Sequence, residues 1–134
     1  MTLNGSCLCG AVTYEVDGLD SPIVHCHCLT CQKTQGAAYV TAARVAREHF
    51  RLLSGADVWR AYASAPGKLR RFCGTCGSHI LSEWVDQPQV ILRVASLDDD
   101  PGTRPAGRIW VSHERPWLTE AEALPRHDEF MPGR

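Results

Sequence analysis

The 134-residue sequence contains no long apolar run, no basic segment at its start and no cluster of positive charge. A membrane-spanning helix needs about 18 or more apolar residues in succession, and a secretory signal needs a basic start before an apolar stretch, so neither is expected. The formal net charge is −1, and basic residues such as Lys68, Arg70 and Arg71 are too few for a nucleic-acid-binding face. We therefore expect a cytoplasmic protein with no membrane or nucleic-acid partner.

Long helical patterns, internal repeats and low-complexity segments are also missing. Short extended runs alternate with turn signals rich in glycine, proline and aspartate, which is typical of sheets built from many short strands. The sequence therefore predicts one all-β domain over residues 1–134, made of antiparallel β-sheets of short strands with little helix. One helical turn is expected over residues 29–35, closed by Gly36, and another over residues 119–123. The predicted strands cover residues 11–16, 23–25, 38–43, 50–53, 58–63, 68–72, 79–84, 90–95 and 107–111.

The cysteines are the most informative residues of the chain, and there are seven of them. Thiols stay reduced in the cytoplasm and an odd number leaves one cysteine unpaired, so metal binding is favoured over a disulfide framework. Four of the cysteines occur as two closely spaced pairs, which together can supply the four ligands of a closed zinc site. The other three form a group, called here the cysteine triad, that leaves one position of a second zinc ion open. The pairs are Cys7 with Cys9 and Cys73 with Cys76, and the triad is Cys26, Cys28 and Cys31.

The two cysteine pairs have the spacing of a structural zinc site. On a strand, Cys7 and Cys9 would point to the same face, where their sulfurs can approach to about 3.8 Å, the edge of a tetrahedron with Zn–S bonds of about 2.3 Å. The glycines that flank Cys73 and Cys76 allow the tight turn that wraps a C-x-x-C pair around one ion. We expect the protein to unfold when this zinc is lost.

The cysteine triad offers three thiolates to one ion from a single short loop. The fourth ligand can be water, a substrate sulfur or a distant histidine, although a lone histidine is more often an ordinary surface or core residue. Three thiolates overcompensate the charge of zinc, which favours exchange with a small thiol over activation of water. A redox C-x-x-C pair is the alternative, but the βαβ context of that motif is missing. The candidate histidines are His25, His27, His79 and His113.

The motifs of the chain occur in a characteristic order. A C-x-C-G motif is followed by H-C-H-C-x-x-C-Q with G-A, then by C-G-x-C-G, and finally by W-V-S-H-E-R-P-W and L-P. This order resembles the glutathione-dependent formaldehyde-activating enzyme family, which is shared with centromere protein V. The resemblance implies a β-rich fold similar to the Mss4 zinc-binding family. It also implies a structural zinc held by Cys7, Cys9, Cys73 and Cys76, and a catalytic zinc held by Cys26, Cys28 and Cys31.

Two functional hypotheses follow from the resemblance and from the open position on the triad. The reaction of the family joins formaldehyde to glutathione, giving S-hydroxymethylglutathione, and is classed as a carbon–sulfur lyase. The first hypothesis is a zinc-dependent enzyme of this kind, which acts on a small thiol adduct and binds two zinc ions. The alternative is a non-enzymatic zinc protein for partner binding or for metal or redox sensing.

Residues outside the cysteine motifs are candidates for substrate contacts. Arg108, Arg115 and Lys33 can clamp the carboxylates of glutathione, although each is also an ordinary solvated surface residue. His27 and His113 are candidates for proton transfer. Tryptophans are expected in the core or in the pocket wall, and the last of them in the substrate cleft. They are Trp59, Trp84, Trp110 and Trp117.

Overall fold

The computed structural model describes residues 1–118 and 123–133, and these contain ten β-strands and one α-helix. The predicted helical turn over residues 119–123 lies outside the described residues except at its last position. In the described part of the chain, no helix has the length and apolar character needed to cross a membrane. The elements are β1 Leu3–Ser6, β2 Thr13–Val16, β3 Val24–Cys26, α1 Leu29–Gln35, β4 Val40–Ala46, β5 Phe50–Ser54, β6 Trp59–Ala65, β7 Lys68–Cys73, β8 His79–Trp84, β9 Gln89–Arg93 and β10 Gly107–Ile109.

The strands form two sheets, which confirms the all-β prediction. The small sheet has the order β1-β2-β5, and the large sheet has the order β10-β3-β4-β9-β8-β7-β6. All pairs are antiparallel except β10 with β3, which is parallel. This pair differs from the expected antiparallel pattern because the long connection after β9 returns the chain to the outer edge in the direction of β3. The last strand thereby lies beside the loop that carries the cysteine triad.

The main core lies where the small sheet packs on one face of the large sheet. Because successive side chains of a strand point to opposite faces, alternate residues of β4, β8 and β9 enter this core. Val45, Leu81 and Leu92 of the large sheet share one buried cluster with Leu3 and Tyr14 of the small sheet. Full burial of an aliphatic or aromatic side chain contributes about 1.5–3 kcal/mol, so this layer supplies much of the stability.

A glycine makes room for the largest side chain of this core. Gly5 of β1 is opposite Tyr14 of β2, and a Cβ atom on Gly5 would lie 2.1 Å from Cζ of the tyrosine ring. The ring is fully buried, and its hydroxyl is hydrogen-bonded to Oγ of Ser96 at 2.6 Å. Burial raises the pKa of Tyr14 to about 12, so the hydroxyl stays neutral. The small sheet therefore depends on the absence of a side chain at residue 5.

The opposite face of the large sheet carries a different set of side chains. In the antiparallel register, Arg70 of β7 is opposite Ser82 of β8, and Ser82 is opposite Ile91 of β9. On the other side of β9, Arg93 is opposite Ala42 of β4. These side chains line a pocket rather than the main core. The alternation of the strands thus separates the scaffold face from the pocket face.

The single α-helix was predicted correctly, with its end at Gly36. It begins directly after Cys28, and Gly36 closes it in the left-handed conformation with φ of 58°. The N–H of Gly36 donates to the carbonyl of Gln32, which satisfies one of the last carbonyls of the helix. Cys28 and Cys31 are therefore positioned by the first turn of α1.

Candidate metal centre and thiol-lined pocket

Two loops that are far apart in the sequence bring four cysteines together. The sulfurs of Cys7, Cys9, Cys73 and Cys76, called here the four-cysteine cluster, all lie within 4.8 Å of one another. The Sγ atoms of Cys7 and Cys9 are 3.6 Å apart, and those of Cys9 and Cys73 are 3.9 Å apart. Four sulfurs at these separations fit the tetrahedral ligand set of an ion such as zinc. The group predicted from the spacing is therefore present as a metal-binding arrangement.

The first cysteine pair converges by a route that differs from the prediction. Cys7 and Cys9 lie in a turn after β1, not on a strand. The N–H of Gly10 donates to the carbonyl of Cys7 at 3.1 Å, and the N–H of Val12 donates to Sγ of Cys7 at 3.2 Å. The turn brings the sulfurs together as closely as a strand would, so the predicted convergence of the two sulfurs is present although the local structure is different.

The second cysteine pair lies in a tight turn between β7 and β8. The N–H of Gly77 donates to the carbonyl of Cys73 at 2.8 Å, and Gly77 has a φ of 79°, a conformation that favours glycine. The hydroxyl of Ser78 accepts a hydrogen bond from the N–H of Leu8 at 3.0 Å and lies 3.2 Å from Sγ of Cys76. Ser78 therefore connects the two loops that supply the four sulfurs.

Hydrogen bonds around the cluster favour the thiolate form that binds metal. The hydroxyl of Ser78 and backbone N–H groups lower the pKa of Cys76 to about 5. The N–H of Cys76 is the main group that lowers the pKa of Cys73. For Cys9 the N–H of Ala11 acts in the same direction, but desolvation and the neighbouring thiols together raise its pKa to about 11. Without an ion the four sulfurs share protons, and a divalent cation would replace those protons.

The cysteine triad lines a pocket on the other face of the large sheet. The pocket has a volume of about 750 Å³, within the range of small-molecule sites. Cys26 ends β3, Cys28 caps α1 and Cys31 lies in its first turn. Most of the wall is apolar and comes from Val24, Val40, Trp84, Ile91, Ile109 and Trp110.

The triad is less tightly assembled than the four-cysteine cluster. Among the described residues, the cluster is the group whose metal-binding atoms all lie within 4.8 Å, and the sulfurs of Cys26, Cys28 and Cys31 do not meet that limit. Cys26 and Cys31 are buried, whereas Cys28 is partly exposed. The donor set fits zinc by its chemistry, because three soft thiol sulfurs face one pocket.

The thiols of the triad differ in their tendency to ionise. A hydrogen bond from the thiol of Cys26, together with the positive charges of Arg93 and Arg70, lowers the pKa of Cys31 to about 5. The same partnership with Cys31, followed by burial, raises the pKa of Cys26 above its usual range. Nη1 of Arg70 lies 3.6 Å from Sγ of Cys31. Of this pair, Cys31 is therefore the more acidic thiol, and Cys26 is the one that donates the hydrogen bond.

Four cations line the pocket beside these thiols. Arg44 is exposed to solvent, whereas Lys68, Arg70 and Arg93 are partly or fully buried. The ammonium of Lys68 lies 5.2 Å from the centre of the Trp84 ring, and burial lowers the pKa of Lys68. The sequence analysis did not assign these residues to the site, although Arg93 interrupts an apolar run in β9. A charged residue inside an otherwise apolar strand is the signal that could have identified Arg93.

A model of the glutathione-dependent formaldehyde-activating enzyme family matches residues 2–113. The chain belongs to this family. A Halomonas elongata protein that is provisionally named a glutathione-dependent formaldehyde-activating enzyme is 30% identical over 134 aligned positions, which cover 92% of this chain and 83% of that protein. The crystal structure of a Rhodobacter sphaeroides protein is similar with a TM-score of 0.64 and 25% identity, over 79% of this chain and 99% of the other.

The family motifs H-C-x-x-C-Q and W-V-S-H-E-R are in contact in the fold. Nε2 of Gln32 donates to the carbonyls of His27 at 2.6 Å and His113 at 3.0 Å. Oε1 of Gln32 accepts from Nε of Arg115 at 2.9 Å. The N–H of His27 donates to the carbonyl of Ile109 at 2.9 Å, as part of the parallel pairing of β10. The segment after β10 thus holds the triad loop against the pocket.

The histidines and basic residues singled out from the sequence have other positions. His27 is buried, with Nε2 3.3 Å from Nε of Arg108, and Nδ1 of His113 accepts from the N–H of Leu29 at 3.1 Å. Arg108 also pairs with Glu114. Among the described residues that line the pocket, none belongs to the group predicted to clamp carboxylates or to move protons, which comprised Lys33, Arg108, Arg115, His27 and His113.

The tryptophans divide between the core, the pocket and the surface. Trp84 and Trp110 line the pocket, and Trp59 packs near Phe50 at the edge of the main core, as expected. Trp117 is 68% exposed and is not among the lining residues, so it does not occupy the expected position in the cleft. Trp110 has a φ of 56°, which is rare for a side chain of this size and marks strain beside the pocket.

Proposed function

We propose that the protein is a zinc-dependent carbon–sulfur lyase that joins formaldehyde to glutathione, with S-hydroxymethylglutathione as the product. The observation that carries the proposal is the cysteine triad, which lines a pocket of about 750 Å³ in a chain of this family. A volume of this size is sufficient for a small thiol together with an aldehyde. The relatives support the choice of glutathione and formaldehyde through their family name.

The two cysteine groups would hold two zinc ions with different roles. The four-cysteine cluster would hold a structural ion, because four protein sulfurs leave no position for a substrate. Cys26, Cys28 and Cys31 would hold the second ion. Zinc bound by three thiolates supplies an open position at which the sulfur of a substrate is kept as a thiolate.

The residues of the chain provide charge and shape for the reaction. The sulfur of the thiol attacks the carbonyl carbon, so a C–S bond forms while the electron pair of the C=O π bond moves to oxygen. That oxygen takes up the proton that the thiol released, and atoms and charges balance. Arg70, which contacts Cys31, adds positive charge beside the thiolates. The apolar walls formed by Val40, Ile91 and Trp110 limit the access of water.

Binding of the thiol is tested with cobalt in place of zinc. We expect glutathione to change the thiolate-to-metal absorption of the cobalt protein, because a new sulfur joins the triad site. S-methylglutathione, which has no free thiol, is the matched control and should leave the spectrum unchanged. The glutathione response should also be absent in Cys28→Ser, whose triad is incomplete. If neither glutathione nor any other biological thiol changes the parent spectrum, the chain is better described as a non-enzymatic metal-binding protein.

Turnover is tested separately by exchange spectroscopy. Formaldehyde and glutathione also combine without a catalyst, so magnetisation-exchange NMR is used to measure the rates at which the adduct forms and dissociates with and without the protein. We expect the parent protein to raise this rate and Cys28→Ser to return it to the uncatalysed value. An unchanged rate with a protein that still binds glutathione at its cobalt ion would remove formaldehyde as the substrate while keeping the thiol site.

A further inference from the structure

Two arginines are buried in the pocket without a carboxylate partner. Arg70 and Arg93 each have an exposed fraction of 5% and line the pocket beside the cysteine triad. In the described part of the chain, neither forms an ion pair with a carboxylate. Other arginines of the chain do so: Arg47, Arg51, Arg71, Arg104 and Arg108.

The hydrogen bonds of these arginines leave donors free for a ligand. Arg70 donates through Nε to Oγ of Ser64 at 2.9 Å and through Nη1 to Sγ of Cys31 at 3.6 Å. Nε of Arg93 is buried, and among residues 1–118 and 123–133 it has no hydrogen-bond partner. Burial of a cation without a partner is costly, and burial of an unsatisfied donor adds to the cost. An unpaired buried cation of this kind is typical of a site where a bound anion compensates the charge.

The charge of the triad does not remove this need for an anion. A divalent ion held by three thiolates would carry one net negative charge, whereas the three lining cations that are shielded from solvent, Lys68, Arg70 and Arg93, carry three positive charges. Arg44 also lines the pocket, but it is exposed and solvent screens its charge. An incoming thiolate leaves one positive charge uncompensated. One carboxylate neutralises that charge, whereas a doubly charged phosphate overcompensates it. The pocket therefore fits a ligand with one thiolate and one carboxylate, or a thiolate and a carboxylate from two ligands.

The position of the arginines sets where that carboxylate lies. Arg70 contacts Cys31, so an anion on its guanidinium group is adjacent to the thiols. In the sheet register Arg70 is separated by Ser82 from Ile91, and the next residue on the same face of that strand is Arg93. Arg70 and Arg93 are therefore two strands and one same-face step apart, about 12 Å between Cα atoms, a separation at which two long side chains can reach one carboxylate between them. Guanidinium groups match carboxylates with two parallel hydrogen bonds.

We propose that Arg70 and Arg93 form a carboxylate-binding subsite, and that the substrates of this chain carry a carboxylate close to the reacting sulfur or carbon. The inference rests on the proposed function, because it assigns the substrate class of the same pocket. With formaldehyde as the aldehyde, the carboxylate belongs to the thiol, as in glutathione. With an aldehyde that is itself an acid, such as glyoxylate, it can belong to the aldehyde. Apart from Lys68 and Arg44, most of the remaining wall is apolar.

The experiment compares matched probes on the zinc-loaded full chain by calorimetry. For the thiol source, 3-mercaptopropionate is compared with 2-mercaptoethanol. For the aldehyde source, glyoxylate is compared with glycolaldehyde. We expect the carboxylate member of at least one pair to bind about tenfold more tightly or better, since hydrogen bonds to a charged group have this magnitude. The pair that shows the preference identifies the source of the carboxylate.

Variants assign the preference to the arginines. We expect Arg93→Gln and Arg70→Gln to abolish the preference. In Arg93→Gln the affinity for the neutral probe of the same pair should change by less than about threefold, whereas Arg70 contacts Cys31 and its variant is compared by the preference alone. Arg104→Gln is the matched control, because Arg104 is exposed and pairs with Asp100 outside the pocket, and it should keep the full preference.

The outcomes separate this inference from the proposed function. Equal affinities within both pairs of probes in the parent overturn the subsite without any need for a folded variant. A preserved preference in both arginine variants also overturns it. The proposed function is tested by the cobalt absorption, which responds to the sulfur alone. A cobalt response to 2-mercaptoethanol together with no preference for a carboxylate would therefore contradict only the subsite. The absence of a response to any thiol would contradict the proposed function.

Discussion

The four-cysteine cluster and the cysteine triad use the same side chain in two different arrangements. The cluster is built by two loops distant in sequence, and its sulfurs lie within 4.8 Å of one another. The triad comes from one loop, faces a pocket and contacts the buried cation Arg70. Four converging ligands are suited to holding an ion permanently. Three ligands beside a cavity and a positive charge leave one position of the ion open, where a substrate ligand can bind and leave. If the two groups have these roles, loss of a cysteine from the cluster and loss of a cysteine from the triad should have different effects.

The largest expected effect is loss of the fold when the cluster is broken. Cys76→Ser removes a sulfur that is held by Ser78 and has a strongly lowered pKa. Structural zinc contributes about 10 kcal/mol or more, which is comparable to the whole stability of a small domain at about 5–15 kcal/mol. We expect insoluble or unfolded protein, measured by circular dichroism and by the soluble fraction after expression.

The matched control for this prediction is Cys28→Ser, the same substitution in the triad. Cys28 is partly exposed at the start of α1, and its loop is held by Gln32 and β10. We expect Cys28→Ser to stay folded. A folded Cys76→Ser protein with its full metal content would contradict the structural role of the cluster.

Metal removal should follow the same division. The parent is expected to contain about two zinc ions and Cys28→Ser about one. A chromogenic chelator should take one ion quickly from the parent, because the triad faces a pocket, and the second only as the protein unfolds. The measurement is zinc release followed together with circular dichroism. Simultaneous release of both ions, or one ion in both proteins, would remove the distinction between the two sites.

The cluster was predictable from the sequence, whereas the charged end of the pocket was not. Cysteine spacing and the adjacent glycines depend on local geometry, so Cys73 and Cys76 were assigned correctly. The position of Arg70 beside Cys31 depends on the registers of β7, β8 and β9, which no local pattern specifies. Arg93 could have been noticed only as a charge within an apolar strand.

Strand prediction shows the same dependence on local signals. Strands such as β8 have apolar or alternating runs between clear turns, and their predicted ends lie within a few residues of the observed ones. β1 was missed because its four residues include Gly5 and two polar side chains, which give no period-two pattern. The parallel addition of β10 was also missed, since it results from a long connection rather than from the strand itself.

A smaller effect is expected when only the scaffold face is disturbed. Gly5→Ala places a Cβ atom 2.1 Å from the ring of Tyr14, and overpacking of a buried site costs about 3 kcal/mol. We expect a lower midpoint in urea unfolding with an unchanged glutathione response of the cobalt protein. Gly107→Ala is the control, because its added Cβ atom would meet nothing within 4 Å. Equal midpoints for Gly5→Ala and the parent would show that β1 and β2 can shift apart.

The smallest effect on stability, and the one most confined to the pocket, is expected from Gln32→Met. Methionine keeps the length of the side chain but removes both donor hydrogen bonds, so the carbonyls of His27 and His113 lose their partner. The hydrogen bond to His27 is buried and that to His113 is partly buried, so we expect a loss of about 1–2 kcal/mol of unfolding free energy. Thiol binding should weaken more than stability, because the triad loop is released from the segment after β10. Gln35→Met, a change of the same residue type at the end of α1, is the comparison, and it should leave the cobalt spectrum unaltered. If Gln32→Met weakens thiol binding no more than Gln35→Met, the triad loop keeps its position without the contact between the two motifs.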